Sequence, residues 1–123
     1  MRREHSKLEL FNKLKIKDYD DEIINSAISK LAEQNYQSDE RFAEAFILMR
    51  FNQGKGPIKI ASELKLRGIS SFDLSDFDWF KSAKDIRRKK FGDNASTDFK
   101  EQAKQKRFLQ SRGFSLDQIN RSF

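Results

Sequence analysis

The chain has 123 residues, with 25 Lys and Arg against 19 Asp and Glu for a formal net charge of +6, one histidine and no cysteine. That length suits one ordinary domain or a short array of smaller units and excludes several large domains. Without cysteine there is no disulfide or thiolate chemistry, and His5 stands outside any HExxH or Cys/His spacing, so neither a metal nor another cofactor is expected.

The start, MRREHSKLEL, lacks the apolar core of a signal peptide, and no apolar run approaches a membrane span, so no membrane association and a cytoplasmic protein are expected. Charge is uneven. Residues 1–50 carry 9 basic against 10 acidic side chains, residues 51–92 carry 10 against 5, and residues 93–123 carry 6 against 4. A basic excess confined to the later two thirds suggests a polyanionic partner, either nucleic acid or an acidic protein surface, with a merely solvated helix face as the alternative.

In chain order, Ser6 and Glu9 form a capping box that starts a helix ending near Leu14. His5, just before the cap, reads as a surface or packing residue. The stretch LKIKDYD, Leu14 to Asp20, then turns the chain, with Asp20 capping a helix over DEIINSAISKL. Asn35 stops that helix, and Ser38 caps the next, with Asp39 and Glu40 in the first turn where the helix dipole favours acids. Phe42, Ala45, Phe46 and Met49 recur at helical spacing and are expected in the core. Gly54 ends the helix. Gly56 and Pro57 start another, since proline at a first helical position loses no hydrogen bond. The Gly54–Gly56 stretch lacks the spacing of a phosphate loop.

The helix carrying Ile58, Ile60, Ala61 and Leu64 ends in LKLRGIS, Leu64 to Ser70, and this wording returns as LQSRGFS, Leu109 to Ser115. Gly68 and Gly113 read as left-handed helix terminators, with Ile69 folding back on Leu64, Phe114 on Leu109, and Ser70 and Ser115 capping a following helix. Between the copies, Trp79, Phe80, Ala83, Ile86 and Phe91 keep a helical period that Gly92 closes, and Arg87 to Lys90 crowd its last turn. The stretch NAST, Asn94 to Thr97, is a candidate flexible link to a helix bearing Phe99, Ala103, Phe108 and Leu109. Asp18 occupies the glycine slot of a fainter first copy, where aspartate takes the left-handed conformation less readily. The three corners lie 50 and then 45 residues apart, the spacing of a helical repeat array. The fold expected is all-α, with no strand and three copies of one unit.

Taken together, the residues resemble a known family. SDERFAEAFILMRFNQGKGPIKIASELKLRGIS is similar to the central signature of the RecX family, a D-x-R-[FY]-A stretch followed by an Arg, a G-x-G-x-x-x-I turn and an E-L-x-x-[KR]-G-I corner. Asp39, Arg41, Phe42, Ala43, Phe46, Arg50, Gly54, Gly56, Ile60, Glu63, Leu64, Gly68 and Ile69 hold those positions. RREHSKLEL resembles the family's earlier R-x-H-S-x-x-E-L stretch, and Asp78 and Trp79 begin its third unit. The resemblance implies tandem three-helix repeats in an elongated, curved array, divided as residues 1–35, 36–77 and 78–123. It also implies that a helix normally precedes the R-x-H-S stretch. The first repeat is therefore expected to lack its opening helix, leaving Leu8, Phe11, Ile24 and Ile28 poorly covered in a monomer or shielded by a dimer.

For function, the resemblance implies a non-enzymatic regulator that binds the RecA filament on single-stranded DNA and restrains recombination and the RecA coprotease activity. No nucleophile–base pair or cofactor fingerprint argues for an enzyme. The rival is direct nucleic-acid binding by residues 81–107, which hold 10 basic against 4 acidic residues, with Lys84, Arg87, Arg88, Lys104 and Arg107 as a phosphate-contacting stripe. A helical interaction scaffold unrelated to recombination is the third reading. Arg50, Lys55, Lys59 and Arg67 are further contact candidates, because nothing in their periodicity requires burial. Arg41 either pairs across a corner or faces the partner, whereas Asp39 is expected to be structural, alongside Gly54, Gly56 and Gly113.

Overall fold

The computed structural model describes residues 4–93 and 97–123; the candidate link at Asn94 to Thr97 lies, except for Thr97, outside the described residues. Among the described residues there are seven helices and no strand: α1 Lys7–Ile16, α2 Asp21–Glu33, α3 Asp39–Asn52, α4 Pro57–Leu66, α5 Trp79–Phe91, α6 Phe99–Arg112 and α7 Leu116–Asn120. Two compact units are formed, one from residues 1–48 and 63–72 and the other from residues 49–62 and 73–123.

Helix ends obey the local chemistry. Ser6 Oγ accepts the Glu9 N–H while Glu9 Oε1 accepts the Ser6 N–H, closing the expected capping box at α1. All three corner residues are left-handed, with φ of 65° at Asp18, 80° at Gly68 and 99° at Gly113. At both glycine corners the fold-back residue returns its N–H to the helix, Ile69 to the Leu64 carbonyl at 3.0 Å and Phe114 to the Leu109 carbonyl at 3.3 Å. Ile69 and Phe114 are consequently buried, whereas Tyr19 at the aspartate corner is exposed. Asn35, with φ of 60°, ends α2 in the same conformation.

Beyond the corners the chain takes different paths. Ser115 caps α7 in a second capping box with Gln118, but Ser70 caps no helix, and the chain runs without regular structure until Asp78 caps α5. The intervening segment, SSFDLSDF, supplies the reason. Asp73 accepts both the Ser75 N–H at 2.8 Å and the Ser75 hydroxyl at 2.6 Å, a local side-chain turn that competes with helix. Those two bonds hold the Asp73 carboxyl below its ordinary pKa.

In the first unit, α1 packs on α2, and Ile24 and Ile28 are buried with Phe42, Ala43, Phe46, Ile47, Leu64 and Ile69. The expectation that Ile24 and Ile28 lie uncovered is thus corrected. They share a compact unit with residues 39–48 and 63–72. Leu8 is partly exposed yet lies against the second corner, since a Cβ on Gly68 would stand 2.8 Å from Leu8 Cβ. On α3 the buried stripe is Phe42, Ala43, Phe46 and Ile47, so Ala45 and Met49, expected in the core, face outward.

In the second unit, α5, α6 and α7 pack mutually. Trp79 and Ala83 are buried in α5, Leu109 in α6, and Ile119 in α7. The indole N–H of Trp79 donates to the Leu74 carbonyl at 2.7 Å, and its ring meets Phe51 edge-on at 5.4 Å. Phe80 and Phe99 are exposed, Phe99 at 82%. The N-terminal donors of α4 and the C-terminal acceptors of α6 satisfy one another: Gly56 N–H donates to the Arg112 carbonyl at 2.7 Å and Ile58 N–H to the Gly113 carbonyl at 2.9 Å. The Gly56-Pro57 sequence makes this possible by bringing backbone against backbone.

Candidate partner-binding surfaces

The D-x-R-F-A stretch is a joint within the first unit. Asp39 Oδ1 accepts the Lys7 N–H at 2.8 Å and the Gln37 amide at 2.8 Å, which fastens the start of α1 to the start of α3. Arg41 does the same from the next turn, donating to Glu4 Oε1 at 3.2 Å and to the Asn35 carbonyl at 2.5 Å. Phe42, Ala43 and Phe46 turn inward from that joint. The R-x-H-S and D-x-R-F-A stretches, 32 residues apart, therefore hold each other in place. Truncating Asp39 to alanine is expected to cost about 1 kcal/mol, since the bonds it accepts are partly solvated. A chemical-denaturation midpoint unchanged from the parent would refute that joint.

Arg67 is also engaged locally. It donates to the Glu63 carbonyl at 3.1 Å, lies 3.8 Å from Glu9 Oε2 and stands 4.7 Å over the Phe46 ring. It leaves the set of free contact residues. In the second unit, Arg50 bonds Gln53 Oε1 at 2.6 Å, and Lys55 and Lys59 are half-buried, with Lys59 packed over Gly113.

The basic stripe of α5 and α6 requires one correction. Arg87, expected to project toward a partner, is only 2% exposed. Its Nε donates to the Ser122 carbonyl at 2.8 Å and its guanidinium stands 5.0 Å over the Phe123 ring. Burial, and secondarily the adjacent Arg88 charge, lowers its pKa from the ordinary arginine range, with Asp93 opposing. The sequence did carry a signal for this: Trp79, Ala83 and Arg87 recur at intervals of four, and all three are buried on one face of α5. Arg88, Lys104 and Arg107 are exposed and Lys84 is half-buried, so four of the five stripe residues remain available to a partner. Arg107 also borders a shallow depression of about 280 Å³ with Ile58 and Leu116.

A larger cleft, of about 610 Å³, opens in the second unit between the end of α3 and the faces of α5 and α6. Phe51, Ile86 and Phe108 line it, with Lys81, Lys89, Lys90 and Arg112 and the acids Asp78 and Asp85. Lys81, Lys89 and Lys90 belong to the basic stretch 81–107 weighed as a nucleic-acid surface, but nothing in the sequence brings them together with Phe51, Phe108 and Arg112 around a cleft. Among the described residues no group of three His, Cys, Asp or Glu side chains is placed to hold a metal ion, and no helix is long and apolar enough to cross a membrane.

The corners, the all-helical content and the engaged motif residues define a protein built of small helical repeats whose exposed chemistry is basic. Three models of one family match the chain in order: RecX, first three-helix domain, at residues 1–31; RecX, second three-helix domain, at residues 38–75; and RecX, third three-helix domain, at residues 76–122. The chain belongs to the RecX family. It is 40% identical to the regulatory protein RecX of Acinetobacter baylyi over 96% of this chain and 77% of that relative. To the regulatory protein RecX of Ectopseudomonas mendocina it is 38% identical, over 98% of this chain and 84% of the relative. A crystal structure of RecX from Lactobacillus salivarius superposes with a TM-score of 0.78 at 22% identity, covering 97% of this chain and 83% of that one, which shows the shared fold.

Proposed function

We propose that this chain acts without catalysis of its own as a cytoplasmic regulator that binds the RecA filament on single-stranded DNA and restrains RecA recombinase and coprotease activity. The observation that carries the reading is the ordered match of three RecX domains along residues 1–122, with relatives named regulatory proteins. As family repeats, distinct from the two compact units, the chain would divide as residues 1–35, 36–77 and 78–123, with a monomer as the working species. Arg88, Lys104 and Arg107 supply the exposed charge of the contact.

The test is single-stranded-DNA-dependent ATP hydrolysis by RecA with the chain added below stoichiometry, beside its binding to the same DNA alone. Inhibition well below one copy per RecA is expected, and a triple reversal of Arg88, Lys104 and Arg107 to glutamate should raise the half-inhibitory concentration about tenfold or more. Unchanged inhibition by that variant would remove the basic surface from the contact. The exposure of those same three residues favours direct nucleic-acid binding as the second reading. It requires tight binding to naked DNA that weakens by roughly one log per phosphate contact for each log of salt.

A further inference from the structure

The cleft of about 610 Å³ in the second unit takes Lys81, Lys89 and Lys90 from the basic stretch 81–107 but none of the stripe residues that remain available to a partner, since Lys84, Arg88, Lys104 and Arg107 do not line it. Its charges are arranged unevenly. The two acids are engaged locally: Asp78 accepts the Lys81 N–H as the cap of α5, and Asp85 pairs with Lys81 at 3.1 Å. Lys89, Lys90 and Arg112 have no carboxylate partner among the described residues. One end of the cleft is thus open cationic and the other is self-neutralised, with Ile86 between them in sequence on α5.

Its aromatic rings are not open platforms. Lys90 and Arg112 stand over the Phe108 ring at 5.3 and 5.1 Å, and Phe91 meets it edge-on at 5.4 Å. Phe51 is engaged by Phe77 at 4.4 Å and by Trp79. Stacking a nucleobase here would mean displacing the chain's own cations. A nucleic-acid backbone along the cleft would also carry phosphates past Asp78 and Asp85, where like charge opposes it. A peptide differs on both counts: it can place an aliphatic or aromatic anchor on the apolar floor and one or two carboxylates at the cationic end only.

We infer that this cleft is a docking site for a short acidic peptide segment bearing an apolar anchor, which seats against Ile86 and Phe51 while its carboxylates meet Lys89, Lys90 and Arg112. The volume lies within the range of peptide- and ligand-sized pockets, and the mode is that of acidic-motif recognition by a basic cluster. This assignment does not depend on RecA and is tested on the isolated full chain.

The probe is a capped decapeptide of glutamates and aspartates with a central leucine and phenylalanine, titrated into chain labelled at isoleucine methyls and backbone amides. Saturable shifts are expected at the Ile86 methyl and at the Lys89, Lys90 and Arg112 amides, with Ile69 in the first unit unmoved. The same peptide with both apolar residues replaced by serine should bind at least tenfold more weakly. So should the double variant Lys89→Glu/Lys90→Glu, whose exposed positions leave the fold intact; its amide spectrum away from the cleft provides the check. Equal binding by the serine peptide, the same shifts with a ten-nucleotide oligothymidylate but not with the anchored peptide, or no saturable shift up to millimolar peptide would each overturn the assignment.

Discussion

Replacing Gly56 by alanine is expected to destabilise the second unit by about 3–5 kcal/mol and lower the thermal midpoint on the order of 10–20 °C. The reason is space. A Cβ at position 56 would lie 2.5 Å from both the Gly113 carbonyl oxygen and the Phe114 nitrogen, and these are backbone atoms that cannot rotate aside. Relief requires α4 to withdraw from α6, which breaks the bonds from Gly56 N–H to Arg112 and from Ile58 N–H to Gly113. Each is worth about 1 kcal/mol net, and a buried orphan left behind costs more. Overpacking adds roughly a further 1–3 kcal/mol, against a typical total of only about 5–15 kcal/mol.

Gly92 separates this steric effect from backbone strain. Its φ is 98°, but a Cβ there meets nothing within 4 Å, so alanine should carry only the backbone penalty of about 1–3 kcal/mol. Gly113→Ala combines both penalties, because its φ is 99° and its Cβ would stand 2.8 Å from the Lys59 backbone nitrogen. Urea denaturation of the three variants should therefore rank Gly92→Ala as mildest by a clear margin. A Gly56→Ala midpoint equal to that of Gly92→Ala would show that the two backbones do not meet as described.

The corners were legible in sequence because each is decided within about six residues, by a left-handed terminator and an apolar fold-back partner. Asp18, Gly68 and Gly113 all take the required conformation. The path of the chain beyond a corner could not be read locally. Ser70 and Ser115 are the same residue in the same slot, yet only Ser115 caps a helix, because Asp73 and Ser75 bind each other two residues apart and settle the chain in a turn. The candidate site was less legible for a related reason. Arg41 and Arg67 resemble surface charges until Glu4 and Glu9, far away in sequence, are brought beside them. Charge composition identifies a basic protein; only tertiary contacts decide which cations are already engaged.

Arg87 is the sharpest case, and its variants should separate packing from charge. Arg87→Ala is expected to cost about 3–4 kcal/mol: it removes a charge-assisted hydrogen bond worth about 1.5–3 kcal/mol, strands the Ser122 carbonyl and opens a void under Phe123. Methionine fills most of that volume and carries no charge into the interior. Because Arg87 Nη1 has no hydrogen-bond partner among the described residues, the native guanidinium is incompletely compensated, and its removal recovers part of the desolvation cost. Arg87→Met loses the same bond and the same buried charge but opens no large void, so it should cost about 1–2 kcal/mol less than alanine. Lysine keeps the charge but lacks the planar fork that reaches the carbonyl, so Arg87→Lys should fall close to alanine. Guanidinium denaturation of the three variants gives the order, and a methionine variant as unstable as the alanine one would mean that the void contributes little and the lost Ser122 bond carries the cost. The RecA inhibition proposed above would supply the functional half of the test. In that assay Arg87→Met should act like the parent while Arg88→Glu, one residue further and exposed, weakens inhibition; the reverse result would place the buried side chain in the contact after all.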